Sequence, residues 1–321
     1  MNKAIIVIVT TVLMYAGTYA QVQYPYPLQK FAIHIEGKNS YMSYMDVQPA
    51  NSNGKTVILF HGKNFSGYYW KNLLPLLKQK GYRVIVPDLP GWGRSGKPDL
   101  HYSFHMLAAV NKSLLDTLHI NKVIVLGHSM GGMLAVRFTL MYPSFIEKLV
   151  LENPIGLEDY KTFVPYQSLD KLYQKERSAS YESYKKYQQS YYPAWKPEYE
   201  QYVAAQAEAL SDTAFDKIAR INAVTYQMIY EQPVIYELNR VKAPTLFIIG
   251  QSDRTIVGKE YLTDEQKNTY GQYPELGIRM SGLITNAKLI ELAGMGHISH
   301  VQDIDKFAAA LFPFLEAEIK D

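Results

Sequence analysis

The chain contains no cysteine, which excludes disulfides, a cysteine-ligated metal and a thiol nucleophile. It also carries little net charge: 33 Lys and Arg against 30 Asp and Glu leave +3 over 321 residues. That balance gives no electrostatic footing for a nucleic-acid partner or an anionic membrane. Its apolar N-terminal run, Ala4 to Met14 broken by two threonines, is shorter than the roughly 20 residues a helix needs to span a bilayer. There are no internal repeats. His101 and His105 stand four apart without clustered carboxylates, so no metal site is expected there. What is present is a hydrophobic content of 47% and a charged content of 20%, as in a globular protein with a large core. The length suits one large α/β domain with an insertion, or two small domains.

Residues 1–20 stand apart from the rest. Lys3 is their only charge, an apolar stretch follows, and Thr18-Tyr19-Ala20 ends the segment. This is the layout of a secretory signal peptide with cleavage near Ala20–Gln21. The mature protein is therefore expected to be exported, periplasmic or secreted, with no stable membrane anchor after cleavage. An intact Met1 on exported protein would refute that. An exported chain does without disulfides when its core is large.

Alternation at Phe31–Ile35 and Tyr41–Val47 predicts two early antiparallel strands. Buried strands are expected at Val57–Phe60, Val84–Val86, Val123–Leu126, Leu149–Leu151, Thr245–Ile249 and Lys288–Leu292. Helices are expected at Trp70–Lys80 (capped by Gly81), Phe104–Leu118, Met130–Met141 and Ile304–Ile319. Strand and helix alternate up to about residue 154 and again after 241, the rhythm of a mostly parallel sheet covered on both faces. Residues 155–240 break that rhythm. They are rich in Tyr, Lys, Gln and Glu at helical spacing and read as a helical insertion over the carboxyl edge of the sheet. Their densest tyrosine stretch, Tyr181–Tyr202, reads as amphipathic helix and loop.

The apolar run Val123-Ile124-Val125-Leu126 leads directly into Gly127-His128-Ser129-Met130-Gly131-Gly132 and then a helix. Strand, Gly-x-Ser-x-Gly and helix is the setting of a nucleophile elbow. The turn is so tight that the central residue adopts a strained backbone, and the flanking glycines remove side chains that would clash. The hydroxyl of Ser129 then stands open at the end of the strand.

Three more segments follow strands in a set order: His61-Gly62-Lys63-Asn64, Ile249-Gly250-Gln251-Ser252-Asp253 and Gly294-Met295-Gly296-His297. A further one, Asp88-Leu89-Pro90-Gly91-Trp92-Gly93-Arg94-Ser95, sits after the strand at Val84–Val86. Over about residues 30–316 the chain resembles the α/β-hydrolase superfamily, in the serine branch with a helical cap between strands six and seven. The resemblance implies a core made of residues 21–154 and 241–321 and a cap over 155–240. It implies Ser129 as nucleophile, His297 as general base and Asp253 as the acid that orients the histidine. Glu152, at the end of the preceding strand, is the rival acid. It implies an oxyanion hole from the backbone N–H groups of Lys63, with Asn64 as second choice, and of Met130. Removing one such donor typically raises a barrier by ~3 kcal/mol. Asp88 and its glycines are expected to fix a turn, and His128 and His300 to pack or support.

Relatives that open epoxides or displace halide carry Asp at the elbow, so Ser129 argues against both. A serine with a base and an oxyanion hole suits acyl transfer. The expectation is a carboxylesterase for small to medium uncharged esters, with a small-molecule substrate, no cofactor and no metal. Trp92, Tyr160 and Tyr226 are expected in the substrate pocket, with Phe163, Tyr166, Met228 and Tyr230 as further candidates. The alternatives are a carbon–carbon bond hydrolase of vinylogous diketone acids, in which Lys63 meets a carboxylate, a ligand-binding protein with a slow triad, and a cofactor-independent oxygenase.

Overall fold

The computed structural model describes residues 21–318; the expected signal peptide, residues 1–20, lies outside them. Eight strands form one sheet: β1 (Leu28–Ile35), β2 (Lys38–Val47), β3 (Thr56–Phe60), β4 (Arg83–Pro87), β5 (Val123–His128), β6 (Ile146–Glu152), β7 (Thr245–Gly250) and β8 (Ala287–Leu292). Their spatial order is β1-β2-β4-β3-β5-β6-β7-β8. β1 pairs antiparallel with β2, and β2 with β4; every other pairing is parallel. The fold is the expected α/β-hydrolase arrangement, a mostly parallel sheet flanked by helices.

Burial explains the strand sequences. All six residues of β5 and all six of β7 are buried, because central parallel strands are covered on both faces and so read as continuous apolar runs. β1, at the edge, alternates instead over its second half, Phe31 to Ile35. The helices of the first half are α1 (Leu74–Gln79), α2 (Phe104–Thr117) and α3 (Met130–Met141). The expected helix at Trp70–Lys80 is divided: a 3-10 segment, Gly67–Asn72, precedes α1. Pro75 sits in the first turn of α1, where its missing N–H costs nothing, whereas deeper in one continuous helix it would break the ladder.

Between β6 and β7 lie α4 (Leu169–Arg177), α5 (Tyr181–Gln189), α6 (Glu200–Ala207) and α7 (Phe215–Glu231), with no strand among them. Ser168 and Ser180 cap α4 and α5, each accepting a backbone N–H of the first turn. α7 buries Ile218, Ile221, Thr225, Tyr226 and Ile229, a face spaced three and four residues apart. Tyr184, Tyr191, Tyr192, Tyr199 and Tyr202 are buried as well, so most of the tyrosine-rich stretch packs inward. After β7 come α8 (Asp264–Thr269), α9 (Tyr273–Ser281), α10 (Ser299–Gln302) and α11 (Ile304–Glu316). α11 stops short of the expected Ile319. The buried Lys148 ammonium donates to the carbonyls of Phe314, Leu315 and Ala317 at 2.8, 2.7 and 2.6 Å, closing the negative end of the helix. Among the described residues no helix is long and apolar enough to cross a membrane.

Because β3, β5, β7 and β8 run parallel, the loops that follow them emerge at one edge of the sheet. His61, Ser129, Asp253 and His297 are brought together there, under α4–α7.

Candidate active site

Ser129 has φ 56° and ψ −122°, a conformation that costs a residue with a side chain about 1–3 kcal/mol. Close packing holds it there. A Cβ on Gly131 would run into the Phe60 carbonyl, and one on Gly127 into the Gly131 carbonyl. Only glycine lets α3 approach β3 and β5 this closely. Gly132 N–H and Ile155 N–H both donate to the Ser129 carbonyl, at 2.9 and 3.2 Å.

The Ser129 hydroxyl lies 2.9 Å from His297 Nε2, and His297 Nδ1 lies 2.7 Å from Asp253 Oδ2. The carboxylate only accepts, so Nδ1 carries the hydrogen and Nε2 is free to accept from Ser129. Asp253 Oδ2 also accepts from Asn153 Nδ2 at 2.8 Å, and Oδ1 accepts from Thr255 N–H at 2.8 Å. Burial by itself would raise the Asp253 pKa, but His297 and the Thr255 donors outweigh it and hold the carboxyl below its ordinary range. Asn153, itself at φ 37°, accepts from Gly250 N–H and Ser299 Oγ at 3.2 and 3.3 Å. It thereby ties the loop of Asp253 to that of His297.

Glu152, the rival acid, is engaged elsewhere. Its carboxylate accepts from the His300 N–H at 2.9 Å and faces His300 Nδ1 at 2.8 and 2.9 Å. Both side chains are fully buried, and the His300 ring stacks on Trp70 with centroids 4.2 Å apart.

A chain of donors fixes the loop after β3. Gly62 N–H donates to Tyr69 Oη at 3.0 Å, Tyr69 Oη faces His128 Nδ1 at 3.0 Å, and His128 Nε2 faces the His297 carbonyl at 2.9 Å. The carbonyl can only accept, so Nε2 carries the His128 hydrogen and Nδ1 accepts from the phenol. Burial first, then the neighbouring His297 and His300, pushes the His128 pKa well down, which keeps this ring neutral. His61 receives the Leu89 N–H at Nε2 (3.0 Å) and turns Nδ1 to the Gly62 carbonyl (2.9 Å). A Cβ on Gly62 would lie 3.2 Å from Ser129 Cβ, so the loop passes directly beside the serine. The N–H groups of Lys63 and Asn64 make no hydrogen bond with protein among the described residues. Met130 opens α3, so its N–H has no partner within the helix. Asp88 accepts from Gly67 N–H and Arg94 N–H, both at 2.7 Å, and secures the neighbouring turn.

Ser129 opens into a cavity of about 240 Å³ whose wall also includes Lys63, Asn64, Ile155, Tyr187, Tyr191 and Tyr226. Of the expected pocket residues, Tyr226 stands in this wall and two do not. Trp92 lines an adjoining cavity of about 140 Å³ and spends its indole N–H on the Lys63 carbonyl at 2.6 Å. Tyr160 is buried behind the wall, its hydroxyl accepting Gly156 N–H at 3.1 Å. Phe163 stacks on Tyr270 at 3.7 Å, Tyr230 donates to the Val164 carbonyl at 3.1 Å, and Tyr166 is exposed. The wall tyrosines that sequence reasoning missed are Tyr184, Tyr187 and Tyr191. Their spacing of three and four residues was the available signal. The cavity's two lysines are both paired: Lys63 with Glu176 at 3.1 Å, Lys175 with Glu260. Among the described residues no three His, Asp or Glu side chains are grouped to hold a metal ion.

This fold, with its strand-end loops gathered beneath a helical roof, is that of an α/β hydrolase. Residues 55–303 match the α/β-hydrolase fold family, and the chain belongs to it. A structure described as "a probable hydrolytic enzyme" of Pseudomonas aeruginosa PAO1 is 40% identical and superposes with a TM-score of 0.90, covering 92% of this chain and 96% of that one. The 2-hydroxy-6-oxononadienedioate/2-hydroxy-6-oxononatrienedioate hydrolase of Paraburkholderia phymatum is 29% identical, the match covering 81% of this chain and 87% of the relative. The hydrolase of the same name from Escherichia coli K12 is 26% identical with the same coverage. The protein is an enzyme, an α/β-fold hydrolase.

Proposed function

We propose that this hydrolase is a serine carboxylesterase that cleaves small to medium uncharged esters through an acyl-enzyme on Ser129. In this reading His297 takes the Ser129 proton as the hydroxyl attacks the ester carbonyl. Asp253 holds the imidazole in the accepting tautomer and stabilises the imidazolium that forms. The oxyanion of the tetrahedral intermediate receives the N–H groups of Lys63 and Met130. Collapse expels the alkoxide, which takes the proton from His297, and water then attacks the acyl-enzyme with His297 again as base.

One observation carries the reading. An uninterrupted hydrogen-bonded run from Asp253 through His297 to Ser129 opens into a cavity whose lysines are already paired with glutamates. The test is hydrolysis of p-nitrophenyl esters of rising acyl length by wild type and Ser129→Ala. Turnover lost in Ser129→Ala, with the fold intact by thermal melting, is the expected result. Turnover retained in that variant sinks the proposal. A second reading, carbon–carbon bond hydrolysis of a diacid, draws on the names of the relatives and on Lys63 in the wall. It requires activity on such diketone acids without activity on simple esters.

A further inference from the structure

Tyr191 lies just beyond α5, among the helices that roof the sheet, yet it touches both halves of the machinery beneath. Its carbonyl accepts the His297 N–H at 2.7 Å. Its ring stacks on the His297 imidazole, centroids 4.9 Å apart and planes inclined by 26°. Its hydroxyl accepts from Asn64 Nδ2 at 2.9 Å. The approach is so close that a Cβ on Gly296 would collide with the Tyr191 carbonyl, which gives the glycine before His297 a reason of its own. Tyr191 is itself buried and stands in the wall of the cavity that holds Ser129. Burial first, and the neighbouring Tyr187, push its phenol well above the ordinary range, so the group stays a neutral hydroxyl.

We propose that Tyr191 is a positioning residue through which the helical roof holds the base His297 and the oxyanion-side loop at Asn64 in one register. The inference rests on the serine-hydrolase reading above. A backbone bond, a ring face and a hydroxyl converge from one residue on two loops that leave different strands. The roof therefore supplies part of the scaffold of the chemistry as well as the wall of the pocket. Of the three contacts, the hydroxyl is the one that reaches Asn64, the residue after Lys63. A loop misplaced by 1 Å can cost up to ~10²-fold in rate.

Tyr191→Phe removes the hydroxyl and keeps the ring and the backbone contact. For a p-nitrophenyl ester, kcat is expected to fall about tenfold with KM within about twofold, since orientation is lost and not pocket volume. The rate of Ser129 labelling by a fluorophosphonate should fall by a similar factor. Asn64→Ala should cost the same, and the double variant no more than either single one. Tyr191→Leu, which also loses the stacked ring, should be slower than Tyr191→Phe. Three results overturn the inference: Tyr191→Phe within twofold of wild type, losses that multiply in the double variant, or a loss carried in KM alone. A wild-type enzyme inert to both ester and fluorophosphonate is a different failure. It removes the serine-hydrolase reading and this inference with it. Thermal melting of Tyr191→Phe establishes that the rates are read on folded protein.

Discussion

The charge arrangement in the cavity predicts how the enzyme treats an acidic substrate. Lys63 stands in the wall of the cavity that holds Ser129, and Glu176 from α4 neutralises it at 3.1 Å; their side chains are 17% and 19% exposed. A substrate carboxylate directed at Lys63 meets Glu176 as well. At about 5 Å and an effective dielectric of about 20 that repulsion is roughly 3 kcal/mol. Partial exposure screens the charges, which brings it to about 1–1.5 kcal/mol. Glu176→Gln removes the repulsion and frees the lysine, so selectivity toward an acidic ester should rise about tenfold. The assay compares kcat/KM for mono-p-nitrophenyl adipate and p-nitrophenyl heptanoate, which match in length. Wild type should prefer the neutral ester. Glu176→Gln should gain about tenfold on the acid while the neutral ester stays within about twofold, and the gain should shrink with added salt. A ratio that does not move refutes the argument from Lys63 and Glu176. A wild-type preference for the acid refutes it too, and favours the diacid reading.

Two further expectations concern stability. His128 and His61 are both held below the ordinary imidazole range by burial, whereas the unfolded chain takes up their protons near pH 6.5. Their lowered folded pKa values mean that this stability is present above about pH 6.5 and is lost as pH falls below it. The melting temperature should therefore drop between pH 7.5 and 5, and the deficit of His128→Asn relative to wild type should narrow over that range; a constant or widening gap contradicts this. Gly131→Ala places a methyl group against the backbone carbonyls of Phe60 and His61, neither of which can turn aside. Overpacking of that kind costs about 3 kcal/mol, a fall in melting temperature of roughly 5 °C for a chain of this length, and a fall under about 2 °C would count against it.

The sheet and the strand-end loops were legible in the sequence because their physics is local. Central strands announce themselves as unbroken apolar runs, as at Val123–Leu126 and Thr245–Ile249. The glycines at 127, 131 and 250 stand where backbones meet. The division before α1 was hidden because Pro75 is compatible with either a first turn or a kink until the path of the preceding residues is known. The segment between β6 and β7 was legible as helices and illegible as a wall. Tyr160, Phe163, Tyr184 and Tyr191 are alike in sequence, and which of them faces Ser129 depends on how α4–α7 lie across the sheet. That is set by contacts such as Phe163 on Tyr270 and Tyr191 on His297, between residues more than a hundred positions apart. Trp92 is of the same kind: its neighbours in sequence give no hint that its N–H is spent on the Lys63 carbonyl.

The choice between Asp253 and Glu152 was open in the sequence for a related reason. Both follow buried strands, and two histidines, His297 and His300, lie three residues apart on the loop that meets them. Three residues do not separate two imidazoles enough for spacing to assign their partners. The assignment comes from the segment running into α10, the short helix that includes His300. Its His300 N–H is held by Glu152 and its Ser299 hydroxyl by Asn153. With that anchor made, the Glu152 carboxylate is committed to His300 from two directions, and His297 is left facing Asp253. Glu152 could serve His297 only by giving up the His300 N–H and leaving a buried donor unpaired, a loss of about 1–3 kcal/mol before any gain. The second carboxylate–histidine pair is thus better understood as the anchor of the loop that carries the first.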